Sequence, residues 1–322
     1  CDNKDESFHY YNDRTKKEDI EKSKNHNLYN ESDFLKKLFF FERKTKDVKI
    51  AVCYHKPANL IQNEVFLPLN VGRKVNKLNS KDGKLTENTV EWLNRNMIGD
   101  DTGDNISIYN RNYCELTGLY WAWKNLDAKY IGLVHYRRYF TASKKMPKEE
   151  AEKFKIVLTE EQVEEKLKKA DIILPQKRNY YIENLYSHYE HTMYVEPLNE
   201  TRKIIEEKYP EYLQEFDKLH KRTSAHMFNM FIMKKEILEE YCAWLFDILF
   251  ELERRIDASQ YDSFHARFYG RISELLLDVW INKNQLKYEE AKVMDMQKID
   301  WIKKGSSFLM AKFAGKKYEK SF

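Results

Sequence analysis

The sequence predicts an α/β fold with a mostly parallel, doubly wound central sheet. Three short runs, at Val48–Tyr54, 130–134 and 171–175, are apolar and rich in β-branched residues, as buried strands are. Amphipathic stretches with helical spacing separate these runs, and strands that alternate with helices are typical of parallel sheets. The chain has 322 residues, 42% of them hydrophobic, which is enough to bury the core of one large domain.

The other elements follow from local signals along the chain. Thr159 is expected to cap the helix that it begins, and Asn110 or Asn112 the helix that follows them. Residues 98–105 contain two glycines and three aspartates and are predicted to form a loop. Helices are predicted at 87–94, 113–123 and 159–170, in several pieces between 182 and 220, and at 235–254 and 271–281, with further strands at 227–233 and 287–294.

The two ends of the chain differ from its middle. Residues 1–46 are charged and have almost no apolar periodicity before a short predicted helix at 34–41. They are therefore expected to form a partly disordered linker or the tail of a preceding segment. The main domain is predicted to span residues 47–302. Residues 303–322 mix apolar and basic side chains, which suits either an amphipathic tail on an anionic membrane surface or a packed helix with its lysines in water.

Charge, cysteine content and hydropathy exclude several classes of protein. Lys and Arg number 56 against 52 Asp and Glu, and this net charge of +4 is too balanced for a dedicated nucleic-acid-binding protein. The cysteines, Cys1, Cys53, Cys114 and Cys242, show no CxxC spacing, which indicates neither a zinc site nor a disulfide framework and favours a reducing, cytoplasmic compartment. No apolar run approaches the roughly 20 residues that a membrane span requires. Because the chain begins with Cys1 instead of Met, it is expected to be an excerpt of a longer protein or a lipid-modified mature chain.

The most informative segment is the predicted strand 130–134, which runs directly into His135, Tyr136, Arg137 and Arg138. In open parallel sheets, ligands bind at the carboxyl ends of the strands. Two adjacent arginines at such a position could offer their planar donor groups to a diphosphate. The alternative is that both arginines are solvated or paired with nearby acids.

A second candidate segment lies at a predicted junction between a loop and a helix. It carries Asp104, Asn105 and Asn110. The free backbone N–H groups at the start of a helix can bind phosphate. The alternative is an ordinary capped helix start, and the spacing favours neither.

Two further segments carry polar groups among apolar neighbours. His226 and Asn229 lie in the apolar stretch 225–233, either as site residues or as hydrogen-bonded core residues. Glu274 and Asp278 are one helical turn apart and share a helix face. A carboxylate there could act as a general base on a hydroxyl group, or the pair could form a solvated acidic face.

Several sequence blocks together resemble one known family. The resemblance runs from about residue 49 to the C-terminus, and the His-Tyr-Arg-Arg block is its most specific part. The family is a domain of unknown function found in gene clusters for capsular polysaccharide and exopolysaccharide, and its members are similar to glycosyltransferases. The blocks that carry the resemblance are 104–107, 113–117, 120–125, 130–139, 171–175, 229–233 and 270–274.

The resemblance implies a fold, a reaction and a set of site residues. The fold would be the Rossmann-like A-type glycosyltransferase fold with added helices, and some members are assigned as galactofuranosyltransferases that use a UDP-linked donor. The block 135–138 would stand where most A-type enzymes carry an Asp-x-Asp metal motif. Residues at the end of the first strand would border the nucleotide, and a second group would face the acceptor: Tyr54, His55 and Lys56 on the donor side, and Pro175, Asn229, Arg271 and Glu274 on the acceptor side.

The missing Asp-x-Asp motif bears on the metal. In the wider fold this motif holds a divalent cation that neutralises the leaving diphosphate. With His-Tyr-Arg-Arg in its place, arginine could supply the positive charge directly, and we expect catalysis without a metal. Asp100, Asp101 and Asp104 could still hold Mn²⁺ or Mg²⁺ from the loop.

The sequence thus predicts a peripheral, cytoplasmic glycosyltransferase at the inner face of the cell membrane. It would move a sugar, galactofuranose or galactose by resemblance, from a UDP-sugar to a hydroxyl of a growing capsular polysaccharide, exopolysaccharide or lipid-linked glycan. Arg137 and Arg138 would stabilise the leaving diphosphate, and Glu274, with Asp278 and His226 as lesser candidates, would deprotonate the acceptor. The alternatives are a non-catalytic module that binds a nucleotide or glycan, and a polyanion-binding protein that uses the lysine-rich tail.

Overall fold

A computed structural model describes residues 47–61, 63–76 and 85–297. The predicted linker at 1–46, with its helix at 34–41, and the predicted basic tail at 303–322 lie outside the described residues. Among the helices that the structure describes, none is long and apolar enough to cross a membrane.

One large sheet organises the described residues. Its strands run in the order β3-β2-β1-β4-β5-β10-β6-β9, and β9 also pairs with β4. A separate two-stranded sheet contains β7 and β8. The strands are β1 (Val48–Tyr54), β2 (Phe66–Asn70), β3 (Ile98–Gly99), β4 (Tyr130–His135), β5 (Arg138–Thr141), β6 (Ile172–Pro175), β7 (Arg178–Asn179), β8 (Ser224–Ala225), β9 (Phe231–Lys234) and β10 (Tyr288–Asp295).

The sheet is mixed, which corrects the expectation of a mostly parallel one. β1, β2, β3 and β4 are parallel neighbours, as are β6 and β10. However, β5 runs antiparallel to both β4 and β10, and β9 runs antiparallel to both β4 and β6. Because β9 pairs with β4 at one end of the series, the five strands β4, β5, β10, β6 and β9 close into a small barrel.

Ten α-helices accompany the sheet in the part of the chain that the structure describes. They are α1 (Glu87–Asn96), α2 (Asn110–Tyr113), α3 (Leu116–Asn125), α4 (Glu150–Phe154), α5 (Glu160–Leu167), α6 (Leu185–Thr192), α7 (Glu196–Lys208), α8 (Leu213–His220), α9 (Lys235–Arg255) and α10 (Phe268–Lys283). The predicted cap of α5 is confirmed: the Thr159 hydroxyl accepts from the backbone N–H of Gln162, whose side chain accepts from the Thr159 N–H.

Two predicted elements are interrupted where the backbone enters the left-handed region. The predicted helix 113–123 is instead two helices, α2 and α3, because Cys114 has φ 52°. Neither Asn110 nor Asn112 caps α3, whose N-terminal flanking residue is Glu115. The predicted strand 227–233 begins only at residue 231, because Phe228 has φ 83° and Asn229 φ 49°.

Helix α3 lies unusually close to the sheet and so fixes the start of this helix next to β1 and β2. Gly118 permits this approach: a Cβ atom there would lie 2.8 Å from the Cys53 sulfur and 2.9 Å from Val71. Every residue of β1 is buried, so the helix packs on the centre of the core. The residue that precedes α3, Glu115, is consequently held beside the carboxyl end of β1.

Candidate active site

A cavity of about 1060 Å³ lies at the carboxyl ends of parallel strands. Cys53 and His55 line it from the end of β1, Val71 from the end of β2, and His135 from the end of β4. This is the edge of an α/β sheet where ligands are expected. The volume stands at the upper end of the roughly 300–1,000 Å³ of small-molecule sites, so a nucleotide-sugar and part of a second substrate would fit.

The charged side chains that line the cavity are strongly unbalanced. Six arginines line it, and Glu115 and Glu274 are the carboxylates among the described lining residues. Such an excess of guanidinium groups indicates an anionic ligand, because arginine offers paired donors that match phosphate and carboxylate oxygens. The arginines are Arg111, Arg137, Arg138, Arg178, Arg267 and Arg271.

The two predicted arginines lie on a tight hairpin. His135 of β4 pairs with Arg138 of β5, so Tyr136 and Arg137 form a two-residue turn, and both arginines line the cavity. Arg138 is held in place: its Nε donates to Asp295 Oδ1 at 3.1 Å, and its guanidinium lies 4.4 Å from the centre of the Phe228 ring.

Arg137 is the more available of the two arginines. Its guanidinium lies 5.5 Å from the centre of the Tyr136 ring, and its buried Nε makes no hydrogen bond with any residue that the structure describes. A buried donor without a partner is costly, so this Nε–H is suited to a ligand.

Of the three donor-side residues expected at the end of β1, only His55 lines the cavity. Tyr54 is a core residue whose ring stacks 5.5 Å from that of Tyr136, and burial raises its pKa to about 12. Its hydroxyl also lies 3.1 Å from that of Tyr139. Tyr54 therefore packs against the turn of the β4–β5 hairpin. Lys56 does not line the cavity.

Glu274 is a buried carboxylate on the second turn of α10 and lines the cavity. Its Oε2 lies 3.5 Å from Arg271 Nη1, and this oxygen accepts no hydrogen bond from the described residues. Burial raises the pKa of Glu274 despite the opposing charge of Arg271, and Glu115 adds to the rise. A carboxylate with a raised pKa in a cavity is a good candidate for a proton acceptor.

Glu115, which the sequence did not single out, is the second carboxylate of the cavity. Burial alone would raise its pKa, but His135, the hydrogen bond from Asn229 and Arg267 together lower it. Asn229 Nδ2 donates to Glu115 Oε1 at 2.8 Å and to the Gly270 carbonyl oxygen at 3.0 Å. The environments of the two glutamates thus push their pKa values apart, an arrangement that assigns different roles to two carboxylates.

Left-handed backbone is concentrated around this cavity. Cys114, Tyr181 and Phe228 all have φ between 52° and 83° and line the cavity, and Asn229 follows directly. Non-glycine residues in this region cost about 1–3 kcal/mol each and are often found at functional sites. The Phe228 carbonyl oxygen accepts from His135 Nε2 at 2.6 Å, so its unusual backbone orients the histidine.

The predicted phosphate-binding residues before α3 have structural partners. Asp104 and Asn105 do not line the cavity: Asp104 Oδ1 accepts from the Tyr120 hydroxyl, and Asn105 Oδ1 from the Ser107 backbone. Asn110 does line the cavity, but its Nδ2 donates to the Cys114 carbonyl oxygen at 2.7 Å and to Thr117 Oγ1 at 2.9 Å.

Four other predicted site residues, His226, Asp278, Pro175 and Asn229, lie outside the cavity lining. His226 and Asp278 are buried, and a hydrogen bond joins His226 Nδ1 to Asp278 Oδ1. His226 Nε2 also lies 3.1 Å from Glu290 Oε1. This pair ties the segment before β9 to α10 and β10. Pro175 is the buried last residue of β6. Asn229 contacts the cavity lining through its hydrogen bond to Glu115. Of the expected acceptor group, Arg271 and Glu274 line the cavity.

The aspartates considered as metal ligands are used within the fold. Asp100 accepts hydrogen bonds from the Gly72 backbone at 2.8 Å, from Ser107 at 2.5 Å and from Thr117 at 2.6 Å. Asp101 pairs with Arg73. Across the described ranges, no group of three His, Cys, Asp or Glu side chains could hold a metal ion.

The cavity also contains residues that the sequence did not single out. Arg178 comes from β7, and Tyr180 and Tyr181 follow it. A signal for them existed: an arginine and two tyrosines follow the predicted strand 171–175 closely, much as the His-Tyr-Arg-Arg block follows strand 130–134.

Comparison with known proteins identifies relatives of this chain. The family described as "Domain of unknown function (DUF4422)" matches residues 49–285. A solved apo structure of the bifunctional glycosyltransferase WbbM is 34% identical in sequence, with a TM-score of 0.66. The match covers 78% of this chain and 45% of that one, so the chain spans less than half the length of this relative. No curated protein matches the chain.

Proposed function

The chain belongs to the DUF4422 family, and from this premise we propose that it is a glycosyltransferase. It moves a sugar from a nucleotide diphosphate donor to a hydroxyl group of a glycan. The observation that carries the proposal is a single cavity with Arg137 at the tip of a core hairpin and Glu274 on the helix α10. The likeness to a bifunctional glycosyltransferase supports it.

On the donor side, the diphosphate lies at the β4–β5 hairpin. Arg137 has a buried donor to give, and Arg138, His55 and His135 line the same cavity. Negative charge grows on the diphosphate as the bond to the sugar breaks, and fixed guanidinium groups stabilise that charge without rearranging. We propose a UDP-sugar as the donor, with galactofuranose or galactose as the first sugars to test. The proposal also includes the A-type glycosyltransferase fold and an acceptor that is a capsular polysaccharide or exopolysaccharide.

On the acceptor side, Glu274 is the general base. Its carboxylate takes the proton of the acceptor hydroxyl while the hydroxyl oxygen bonds to the anomeric carbon and the carbon–oxygen bond to the diphosphate breaks. A raised pKa makes the carboxylate a better proton acceptor at the pH where it is still ionised. Attack from the side opposite the diphosphate inverts the anomeric configuration.

Donor binding can be tested through thermal stability. Ligands that bind only the folded state raise the unfolding temperature. We expect UDP to stabilise the full chain, and Arg137→Gln to weaken UDP binding about 10- to 100-fold, because hydrogen bonds to charged groups contribute about 1.5–3 kcal/mol. Arg95→Gln is the matched control, since Arg95 is exposed on α1 and pairs only with Glu91 in the described structure.

The outcomes of these experiments test the donor, the role of Arg137 and catalysis separately. If no nucleotide stabilises the unmodified chain, the donor proposal is wrong. If Arg137→Gln binds UDP as tightly as Arg95→Gln does, the arginine does not contact the diphosphate. A non-catalytic module, the competing function, would be stabilised by a UDP-sugar but would never release UDP from it.

A further inference from the structure

A second wall of the cavity carries a positive charge that the donor site does not use. Arg178 lies in β7, which runs antiparallel to β8, and Arg178 pairs there with Ala225. Its guanidinium lies 5.1 Å from the centre of the Tyr180 ring. The side chain forms no ion pair with a described carboxylate, yet it lines the same cavity as Glu274.

The segment after Arg178 presents an aromatic ring to solvent at this wall. Tyr181 is 82% exposed and lines the cavity. Its backbone is left-handed, with φ 54°, and its N–H donates to Asn179 Oδ1 at 2.8 Å. An exposed tyrosine held in a strained conformation at a cavity suggests that its ring contacts a ligand, and a flat aromatic face with a polar tip suits a sugar ring.

The charges of the cavity leave a surplus beyond what the donor needs. Arg138 is paired with Asp295 and Arg271 with Glu274. A nucleotide-sugar carries one negative charge on each of its two phosphates, and these charges together with Glu115, Glu274 and Asp295 balance five of the six arginines that line the cavity. Arg178 comes from a different sheet, beside the proposed base, where the acceptor must lie. A guanidinium in this position pairs most favourably with a second anion.

We propose that the acceptor is an acidic glycan, whose carboxylate or phosphate is bound by Arg178 while its sugar ring packs on Tyr181. This inference rests on the proposed function and names the class of its acceptor. A uronic acid and a sugar phosphate share the chemistry that Arg178 recognises, namely one anionic group attached to a sugar ring.

Binding of simple sugars to the full chain tests the proposal. The probes are methyl glucuronide, glucose 6-phosphate and the neutral methyl glucoside, and their dissociation constants are measured by ligand-observed NMR with UDP present to fill the donor site. We expect at least one acidic probe to bind at least 10-fold more tightly than methyl glucoside. Arg178→Gln is expected to abolish this preference, whereas Arg95→Gln, which removes the same charge from the exposed face of α1, keeps it.

A second variant separates stacking from charge. Tyr181→Ala is expected to weaken the preferred acidic probe several-fold while its preference over methyl glucoside remains. The residue is exposed, so the change should not affect folding. Tyr194→Ala serves as its control, because Tyr194 is 44% exposed and does not line the cavity.

Each result of these binding measurements either supports or overturns the proposal of an acidic acceptor. Tighter binding of the glucuronide alone identifies a carboxylate, and tighter binding of the phosphate alone identifies a phosphate; either supports the proposal. If neither acidic probe binds better than methyl glucoside, or if Arg178→Gln keeps the preference, the proposal is wrong. UDP-dependent stabilisation is read separately, so a chain that binds UDP but ignores the acidic group overturns this inference and leaves the proposed donor site intact.

Discussion

Replacing Glu274 with glutamine should slow catalysis strongly without weakening the fold. The change keeps the shape of the side chain but removes the proton acceptor. General bases contribute about 10²–10⁴-fold to rate, so kcat should fall by that factor, about 3–5 kcal/mol in the activation free energy. The loss should appear in kcat, with the donor KM nearly unchanged, because Glu274 lies on α10 and not on the hairpin that carries Arg137.

The effect of Glu274→Gln on stability has a definite sign. The pKa of Glu274 is raised in the folded protein, so the folded state binds more protons than the unfolded state as pH rises from the ordinary glutamate value. Stability therefore decreases with rising pH in this window, and ionised Glu274 destabilises the fold at neutral pH. This net direction already includes the favourable charge of Arg271. We expect Glu274→Gln to unfold at an equal or higher temperature than the unmodified chain at pH 7.5, with the difference vanishing below about pH 4.

Two measurements check this reasoning. Release of UDP from the donor gives kcat between pH 5 and pH 9, and circular dichroism gives the unfolding temperature over the same range and at pH 4. In the unmodified chain, kcat should rise with pH until Glu274 is ionised, above the ordinary glutamate range, and this dependence should disappear in the variant. Glu274→Asp, which keeps a carboxylate, should recover part of the activity. Near-normal kcat in Glu274→Gln would refute the assignment of Glu274 as the general base. A lower unfolding temperature of this variant at pH 7.5 would contradict the raised pKa of Glu274.

Two further predictions concern Glu115 and the packing of α3. Because the pKa of Glu115 is lowered, its ionised form stabilises the fold above the ordinary glutamate pKa and loses that effect as pH falls below it. Glu115→Gln should therefore lower the unfolding temperature at pH 7.5, and the difference from the unmodified chain should shrink as the pH falls below the ordinary glutamate value. Gly118→Ala should cost about 1–3 kcal/mol in chemical denaturation, since its Cβ would lie 2.8 Å from Cys53 Sγ, whereas Gly270→Ala should be nearly neutral, since its nearest neighbour is 3.7 Å away. Equal denaturation midpoints for the two alanine variants would contradict the close packing of α3.

Local signals were enough to predict single elements but not their pairing. The sequence predicts β1 with its observed bounds and Thr159 as the cap of α5, because both signals are local, whereas the reciprocal bond to the Gln162 side chain is seen only in the structure. The antiparallel strands were missed for two physical reasons. The turn at Tyr136 and Arg137 lacks the glycine or asparagine that usually indicates a two-residue hairpin. The pairing of β9 with β4 joins segments about a hundred residues apart, and nothing within either strand encodes it.

Helix α10 shows why the sequence could not separate the two carboxylates on it. Glu274 and Asp278 share one face, and periodicity treats them as equivalent. The cavity, however, meets only the first turns of α10, and one turn advances the chain by about 5.4 Å. That distance takes Asp278 past the cavity to His226, whereas Glu274 stays beside Arg271. The depth of a cavity along a helix depends on the neighbouring elements, which only the assembled fold specifies.

The strained loop before β9 explains how distant walls of the cavity keep their spacing. The Phe228 carbonyl oxygen receives the hydrogen bond of His135 from the end of β4, and Asn229 donates both to Glu115 before α3 and to Gly270 of α10. One loop therefore joins the strand that leads into the arginine hairpin to the helix that carries the proposed base. The left-handed backbone costs about 1–3 kcal/mol per residue, which hydrogen bonds to the ionised Glu115 and to buried carbonyl groups can offset. The proposed transfer from a diphosphate to a hydroxyl needs the anion-binding arginines and the proposed base at a fixed separation, and this loop connects the elements that carry them.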